Sequence, residues 1–317
     1  EVIEAAVSVL DALGLELEYQ TGEIGFAAYQ RLGTPLPERT LDMVRLSSAT
    51  LFGAVTTPPN LPGYRSPILR LRRELDLYAN YRPSCSLPGP FSLQGINLVV
   101  VRENTEGLYS GIERVEDGGD RAVTERVITR RASERILHTA FQLARRSGYE
   151  KVTVVHKANV LRETCGLFRR VAFEVAPNYP DLIMTEMLVD TCAMELVRDP
   201  AQFQVIVTTN LFGDILSDEA SMLVGGLGVA ASGNVGDTAA VFEPVHGSAP
   251  GLAGTGKANP IAAIRSAAML LDYLGEAGQA RRVDGAVSQV IACGELTEDL
   301  GGRLSTREVT QKIIQYL

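Results

Sequence analysis

The chain predicts an α/β fold whose sheet is parallel in at least one portion. Short apolar runs of buried-strand type, at Val99 to Val101, Val152 to Val155 and Val205 to Val207, alternate with segments of helical period. Each run also ends in polar residues suited to chemistry, and clefts in α/β folds open at the carboxyl ends of strands.

Taken in order, EVIEAAVSVLDALG reads as a helix ending at Gly14, and LELEYQTGEIG alternates as a strand does. Pro37 to Arg45 fits a short helix and Ala49 to Val55 a buried strand. The loop TTPPNLPGYRSP has four prolines in twelve residues, so it is stiff and non-helical. A helix over Ile68 to Leu77 then carries Arg70, Arg72 and Arg73, and INLVVVREN is a strand ending in charge. Residues 110–127, polar around DGGD with β-prone flanks, read as a projecting arm. Next come a helix at Ser133 to Arg146, the strand VTVVHKAN, a helix, and a strand near Leu182 to Val189. Val205 to Val207 leads into a helix within TTNLFGDILSDEASMLVGGLG, with Leu211, Ile215 and Leu216 on one side. Asn259-Pro260 opens the helix IAAIRSAAMLLDYLG, which Gly275 ends. No repeat, low-complexity tract or long linker divides the chain, so its domains are expected to interleave.

With 317 residues, 45% of them hydrophobic, the chain can bury a large core and is long enough for two domains. The net charge of -8 and a pI near 5.1 argue against an extended nucleic-acid or anionic-membrane surface. Cys85, Cys165, Cys192 and Cys293 are widely spaced without a CxxC, which suggests neither zinc nor a disulfide framework and fits a reducing cytoplasm. No apolar run approaches the ~18 residues of a membrane span, and no signal-peptide pattern is present.

Asp214 and Asp218 are four apart and share one helical face. On spacing alone this is a solvated acidic face. Beyond a buried strand, however, two carboxylates repel unless a cation lies between them, and hard cations favour oxygen ligands. A divalent metal site is therefore expected. Other strand ends supply Arg102 with Tyr109 nearby, Lys157 with Asn159, and Asp190. Singly these are a surface lysine, a half-buried tyrosine and a helix N-cap. Together with Arg72 and Arg82 they provide anion binders, a base, an acid and three aspartates. Three arginines suit a substrate with more than one carboxylate.

Two phosphate motifs fail. GLAGTGK at Gly251 to Lys257 lacks the hydroxyl residue of a P-loop, since Ala258 follows. No G-x-G-x-x-G lies in a βαβ setting. A dinucleotide would bind without the Rossmann fingerprint, and EPVHGSAPGLAGTGKANP offers free backbone N–H groups for a diphosphate.

NLFGDILSDEAS, GDTAAVFEPVHGSAP with GKANP after it, VVRENTEGLY and LRRELDLYANYRP together resemble the β-decarboxylating dehydrogenases, which act on isocitrate, 3-isopropylmalate and homoisocitrate. The resemblance spans nearly the whole chain. It implies a non-Rossmann two-domain α/β fold: one domain of residues 1–77 and 230–317 on the cofactor side, and one of 78–229 with the dimer interface and an arm at about 110–127 that clasps a second subunit. Arg72, Arg82 and Arg102 would grip the substrate carboxylates, with Asn159 beside them. Tyr109 would protonate the enolate, and Lys157 would be the base linked to hydroxyl oxidation. Asp190, Asp214 and Asp218 would bind Mg²⁺ or Mn²⁺; His246, Gly247, Ser248, Ala249 and Asn259 would hold the adenosine part of the cofactor. The family shares its site between subunits, so a homodimer or dimer of dimers is implied. All the matched catalytic and metal positions are intact, which disfavours a non-catalytic regulatory subunit.

Substrate choice turns on RSPILRLRR. Arg65 stands where isopropylmalate enzymes have Glu, and Ile68 where isocitrate enzymes have Asn, while SPI followed by LRRE most resembles homoisocitrate dehydrogenases. Arg65 or Ser66 would bind the distal carboxylate of the longer acid. The expected reaction is oxidative decarboxylation of homoisocitrate to 2-oxoadipate, as in lysine biosynthesis, with isocitrate and then 3-isopropylmalate as alternatives. Gly251-Leu252 shows neither the Asp of NAD enzymes nor the Lys-Tyr of NADP enzymes. The absence of a cation to meet a 2′-phosphate favours NAD, although Lys257 leaves NADP open. The family opens with a strand and a GDGIG-like turn; this chain begins in the helix after them, so residues before Glu1 are expected.

Overall fold

The computed structural model describes residues 1–58, 61 and 64–317; Pro59, Asn60, Pro62 and Gly63, at the centre of the proline-rich loop, lie outside the described residues. In chain order the elements are α1 (Val2–Ala12), α2 (Phe26–Leu32), α3 (Glu38–Leu46), β1 (Thr50–Leu51), α4 (Pro67–Glu74), β2 (Ala79–Cys85), β3 (Asn97–Glu103), β4 (Glu113–Glu116), β5 (Arg121–Thr124), α5 (Arg130–Arg146) and β6 (Lys151–His156). There follow α6 (Thr164–Val175), β7 (Ile183–Leu188), α7 (Val189–Arg198), β8 (Val205–Thr208), α8 (Asn210–Met222), β9 (Ala231–Val235), β10 (Ala240–Pro244), α9 (Ile261–Tyr273), α10 (Ala277–Ala292) and α11 (Thr306–Gln315). The chain divides into two compact units, one of residues 1–77, 86–94 and 224–317, the other of 78–85 and 95–223. Residues 86–94 lie with the first unit because Leu87 packs into its core and Phe91 against it. Among the described residues no helix is long and apolar enough to cross a membrane.

The second unit is a mixed sheet in the order β2-β3-β8-β6-β7. Only β2 with β3 is antiparallel; β3 with β8, β8 with β6 and β6 with β7 are parallel. All four residues of β8 are buried, as its continuous apolar run demands of a strand covered on both faces. The α5 helix shows why periodicity is legible here. Thr129 accepts the Ala132 N–H at its start, and Ile136, Leu137, Ala140, Phe141 and Ala144 form one buried stripe. Phe141 and Phe168 are essentially inaccessible within this core, a burial of about 1.5–3 kcal/mol each. β4 and β5 pair antiparallel as a separate two-stranded sheet with mostly exposed side chains, at the place read as an arm.

In the first unit the strands run β1-β10-β9, with β1 parallel to β10 and β10 antiparallel to β9. The helices α1, α9, α10 and α11 share a core that includes Val9, Ile264, Leu271, Val287 and Ile313. α11 begins with a complete capping box, Ser305 with Glu308.

Three sequence expectations are corrected. LELEYQTGEIG forms no strand: Leu15 and Leu17 pack against the core while Glu16 and Glu18 are exposed, so its alternation records an extended segment without a ladder partner. The strand expected over Ala49 to Val55 pairs only at Thr50 and Leu51, because β10 offers it just that register. Asp190 does not cap α7 either; it lies within the first turn, and Leu188 takes the capping position.

Candidate functional site

The parallel register of the second unit brings the polar strand ends level. Arg102 of β3 and Val155 of β6 both pair with Thr208 of β8, and His156 pairs with Leu188 of β7. Asn210 and α8 therefore start beside Arg102, and Lys157 emerges beside the start of α7 and Asp190.

Asp214 and Asp218 stand one turn apart on α8 and are bridged by arginine. Arg82 donates to Asp218 Oδ1 at 2.8 Å and lies 3.2 Å from Asp214 Oδ1. Arg102 donates to Asp214 through Nη1, and its Nε and Nη2 both reach Asn210 Oδ1, at 3.0 and 2.7 Å. Asn210 in turn donates to the Glu106 carbonyl at 3.0 Å. Tyr109 donates its hydroxyl to Asp214 Oδ2, and its ring lies 5.1 Å below the Arg102 guanidinium. The Tyr109 hydroxyl is held above its ordinary value, first by burial and then by the hydrogen bond to Asp214. Desolvation pushes the Asp218 carboxyl up, and the neighbouring charge of Asp214 adds to this while Arg82 opposes it. A carboxylate whose ionisation is resisted beside a second carboxylate is a setting that a hard divalent cation relieves, and its donors are oxygens. These residues fit such an ion.

Lys157 and Asp190 form their own ion pair, and the hydrogen bond from Lys157 holds the Asp190 carboxyl below its usual range. Among the described residues no three His, Cys, Asp or Glu side chains gather as a metal site. Within one chain, then, Asp190 does not join Asp214 and Asp218. Asn159 is exposed on the turn after β6.

In the first unit, His246, Gly247, Ser248, Ala249 and Asn259 all line one cavity of about 920 Å³, within the size range of ligand sites. The buried Nε2 of His246 has no hydrogen-bond partner among the described residues, so a ligand group could satisfy it. Gly228 lies so close to Asn259 and Asp299 that a Cβ would meet them at 3.2 and 2.7 Å. These residues fit a nucleotide. Lys257 also lines the cavity and is paired with Glu298 at 3.3 Å, while Asn259 donates to Asp299 and accepts the Ile261 N–H at the start of α9. Arg72, on α4, is buried and reaches Glu243 Oε1 at 3.1 Å, an oxygen that also accepts from Asn234. The Arg72 Nε is buried without a hydrogen-bond partner among the described residues. Ser66 is the N-cap residue of α4 without a capping bond, and Arg65 just before it is exposed. Ile68 packs against the core of Leu71 and Val241, which explains an apolar residue at that position.

Asn210, Glu243, Asn234 and Glu298 were not singled out by sequence. Asn210, Glu243 and Asn234 lie inside or beside a recognised motif and Glu298 outside any, and the role of each depends on a partner elsewhere in the chain.

The chain matches the family model described as isocitrate/isopropylmalate dehydrogenase over residues 1–313. It is 52% identical to a Thermus thermophilus protein named isocitrate/homoisocitrate dehydrogenase, over 100% of this chain and 95% of that one. It is 49% identical to a 3-isopropylmalate dehydrogenase of Methanothermobacter thermautotrophicus, over 100% of this chain and 94% of the other. The crystal structure of isocitrate dehydrogenase from Methylococcus capsulatus superposes with a TM-score of 0.96 at 46% identity, covering 99% of this chain and 95% of that one. The chain belongs to the isocitrate/isopropylmalate dehydrogenase family. It is thus a decarboxylating hydroxy-acid dehydrogenase with that family's α/β fold.

Proposed function

We propose that the enzyme oxidises and decarboxylates homoisocitrate to 2-oxoadipate, with NAD⁺ as acceptor and Mg²⁺ or Mn²⁺ bound. The observation that carries the substrate assignment is the start of α4, where Arg65 and Ser66 precede the helix that presents Arg72. Neither Arg65 nor the Ser66 hydroxyl is engaged in a cap or ion pair among the described residues, so both are available to a distal carboxylate. The name of the Thermus relative, isocitrate/homoisocitrate dehydrogenase, supports the same reading. Isocitrate is the runner-up, since one methylene is worth only about 1–3 kcal/mol.

Arg72, Arg82 and Arg102 hold the substrate carboxylates in this reading, and Lys157 is the base linked to removal of the hydroxyl proton. Tyr109 delivers a proton to the carbon that loses CO₂; its raised hydroxyl keeps that proton in place until then. When bound, a nicotinamide cofactor would supply the hydride acceptor for the hydroxyl carbon, and a divalent cation would supply polarisation of the oxygen on that carbon. Asp190, Asp214 and Asp218 would hold the cation, His246 to Ala249 and Asn259 the adenosine. Because Asp190 is paired with Lys157 and stands apart from the other two aspartates in one chain, we assign the complete site to a homodimer, with Lys157 and Asp190 contributed by the second subunit. The exposed β4–β5 hairpin suits the clasp between them. Glu298 pairs with Lys257, a lysine that lines the cavity and could otherwise meet a 2′-phosphate, which supports NAD over NADP.

The test is reduced-nicotinamide formation with Mg²⁺ on homoisocitrate, isocitrate and 3-isopropylmalate at equal concentration, with NAD⁺ and NADP⁺ in parallel. Homoisocitrate with NAD⁺ is expected to be fastest. A higher kcat/KM on isocitrate would overturn the substrate assignment, and silence on all three from a dimeric sample would make the chain a non-catalytic subunit.

A further inference from the structure

We propose that His156 is a positioning residue that sets the direction of Lys157, acting through a clamp that ties β6 to β7. The inference rests on the reading of Lys157 as the base, and no motif or composition argument pointed to it.

His156 is 4% exposed at the last position of β6. Its Nδ1 accepts the backbone N–H of Ala158 at 3.2 Å, so the ring closes over the peptides on both sides of Lys157. This acceptance fixes the neutral tautomer with hydrogen on Nε2, and Nε2 faces Glu186 Oε2 at 3.2 Å. Glu186 lies on β7, two residues before Leu188, the ladder partner of His156. It is itself held by Arg169 of α6 through a two-pronged bond, at 2.5 and 2.8 Å. The series Arg169, Glu186, His156, Ala158 N–H thus runs from a helix, across two parallel strands, to the turn that carries Lys157.

The same strand pair delivers the two ends of the Lys157–Asp190 ion pair. Lys157 follows β6 directly and Asp190 follows β7 by two residues, so any slip between the strands or twist of the turn moves the ammonium from its partner. Lysine is a long side chain with four rotatable bonds, and a turn fixed at both flanking peptides is the main restraint on its root. A displacement of about 1 Å at a catalytic group can cost on the order of a hundredfold in rate.

The two halves of the clamp can be separated. The Oδ1 of asparagine is as many bonds from the backbone as Nδ1 of histidine and can accept the Ala158 N–H, whereas the glutamine amide matches the reach of Nε2 toward Glu186. The experiment measures kcat and KM on the preferred hydroxy acid for His156→Leu, His156→Asn, His156→Gln, Glu186→Ala and Lys157→Met, each with its melting temperature. His156→Leu is expected to lower kcat about ten- to a hundredfold with KM little changed, the pattern of an interaction made in the transition state. His156→Asn, which keeps the bond to the Ala158 N–H, and His156→Gln, which keeps the reach toward Glu186, should each recover part of the loss. Glu186→Ala, at a half-exposed site that does not threaten the core, should lower kcat in the same direction. Wild-type kcat in both His156→Leu and Glu186→Ala, with Lys157→Met inactive, overturns the inference alone. Equal losses in the Leu, Asn and Gln variants also overturn it, because packing would then explain them. An active Lys157→Met variant overturns the reading of Lys157 itself.

Discussion

Gly213 lies against Arg102 so closely that a Cβ on it would sit 2.6 Å from Arg102 Cβ and 3.2 Å from the Arg102 Cα. The glycine in NLFGD is therefore the reason α8 can press onto the end of β3 and set Asp214 beside the guanidinium. Gly213→Ala is expected to force the helix away, at about 1–3 kcal/mol of stability. If Asp214 holds the proposed cation, the substitution should also weaken cation affinity, since Asp214 moves with the helix. Chemical denaturation together with a Mn²⁺ titration measures both; unchanged values would show that the contact is easily relaxed.

Asn210 is the acceptor for two nitrogens of a side chain that is 1% exposed. Replacing it with alanine removes the acceptor of two hydrogen bonds from a buried cation, a loss on the order of 1–3 kcal/mol. If Arg102 grips a substrate carboxylate, Asn210→Ala should raise KM for the hydroxy acid more than it lowers kcat. Steady-state kinetics at saturating cofactor decides this.

The Lys257–Glu298 pair predicts a shift in cofactor choice. Glu298→Gln frees the lysine, and the kcat/KM ratio of NAD⁺ over NADP⁺ is expected to fall by about threefold to tenfold, in keeping with the modest strength of exposed pairs. Lys257→Ala should leave turnover with NAD⁺ nearly unchanged. A ratio that does not move in Glu298→Gln would place the 2′-hydroxyl elsewhere in the cavity.

Glu186 gives a pH dependence of definite sign. Its carboxyl is lowered from the ordinary value of 4.5, first by the hydrogen bond from Arg169 and further by His156. A depressed carboxylate contributes stability that is present above the unfolded value and is lost as the pH falls through the folded one. Between about pH 5 and pH 3 the wild type should therefore lose melting temperature faster than Glu186→Gln. Parallel slopes in the two proteins would mean that the pair contributes nothing measurable.

Ser305→Ala removes one half of the α11 capping box and should cost about 0.5–2 kcal/mol, read by thermal unfolding. Activity should be little changed up to the unfolding transition, because none of the residues assigned to the site lies on α11.

Much of this protein is legible without its structure. The continuous apolar runs of β3, β6 and β8 mark strands buried on both faces, and the four-residue interval of Asp214 and Asp218 puts them on one helical face before any partner is known. The stripe of α5 is equally plain. Legibility fails where a pattern needs a neighbour to complete it. LELEYQTGEIG alternates like a strand yet has no ladder, and the real strands β2 and β9 are interrupted by Pro83 and by Gly233 and Asn234, which weaken any strand signal.

The sequence by itself determined the α/β class, the family and the chemical types at each strand end, because periodicity and motif spacing act over a few residues. Only the tertiary structure decided who meets whom: Arg102 with Asn210, 108 residues away, Lys157 with Asp190 rather than with the aspartates of α8, and His156 with Glu186. Those meetings follow from the parallel register of β3, β8, β6 and β7, and register is a property of paired strands that no single strand carries.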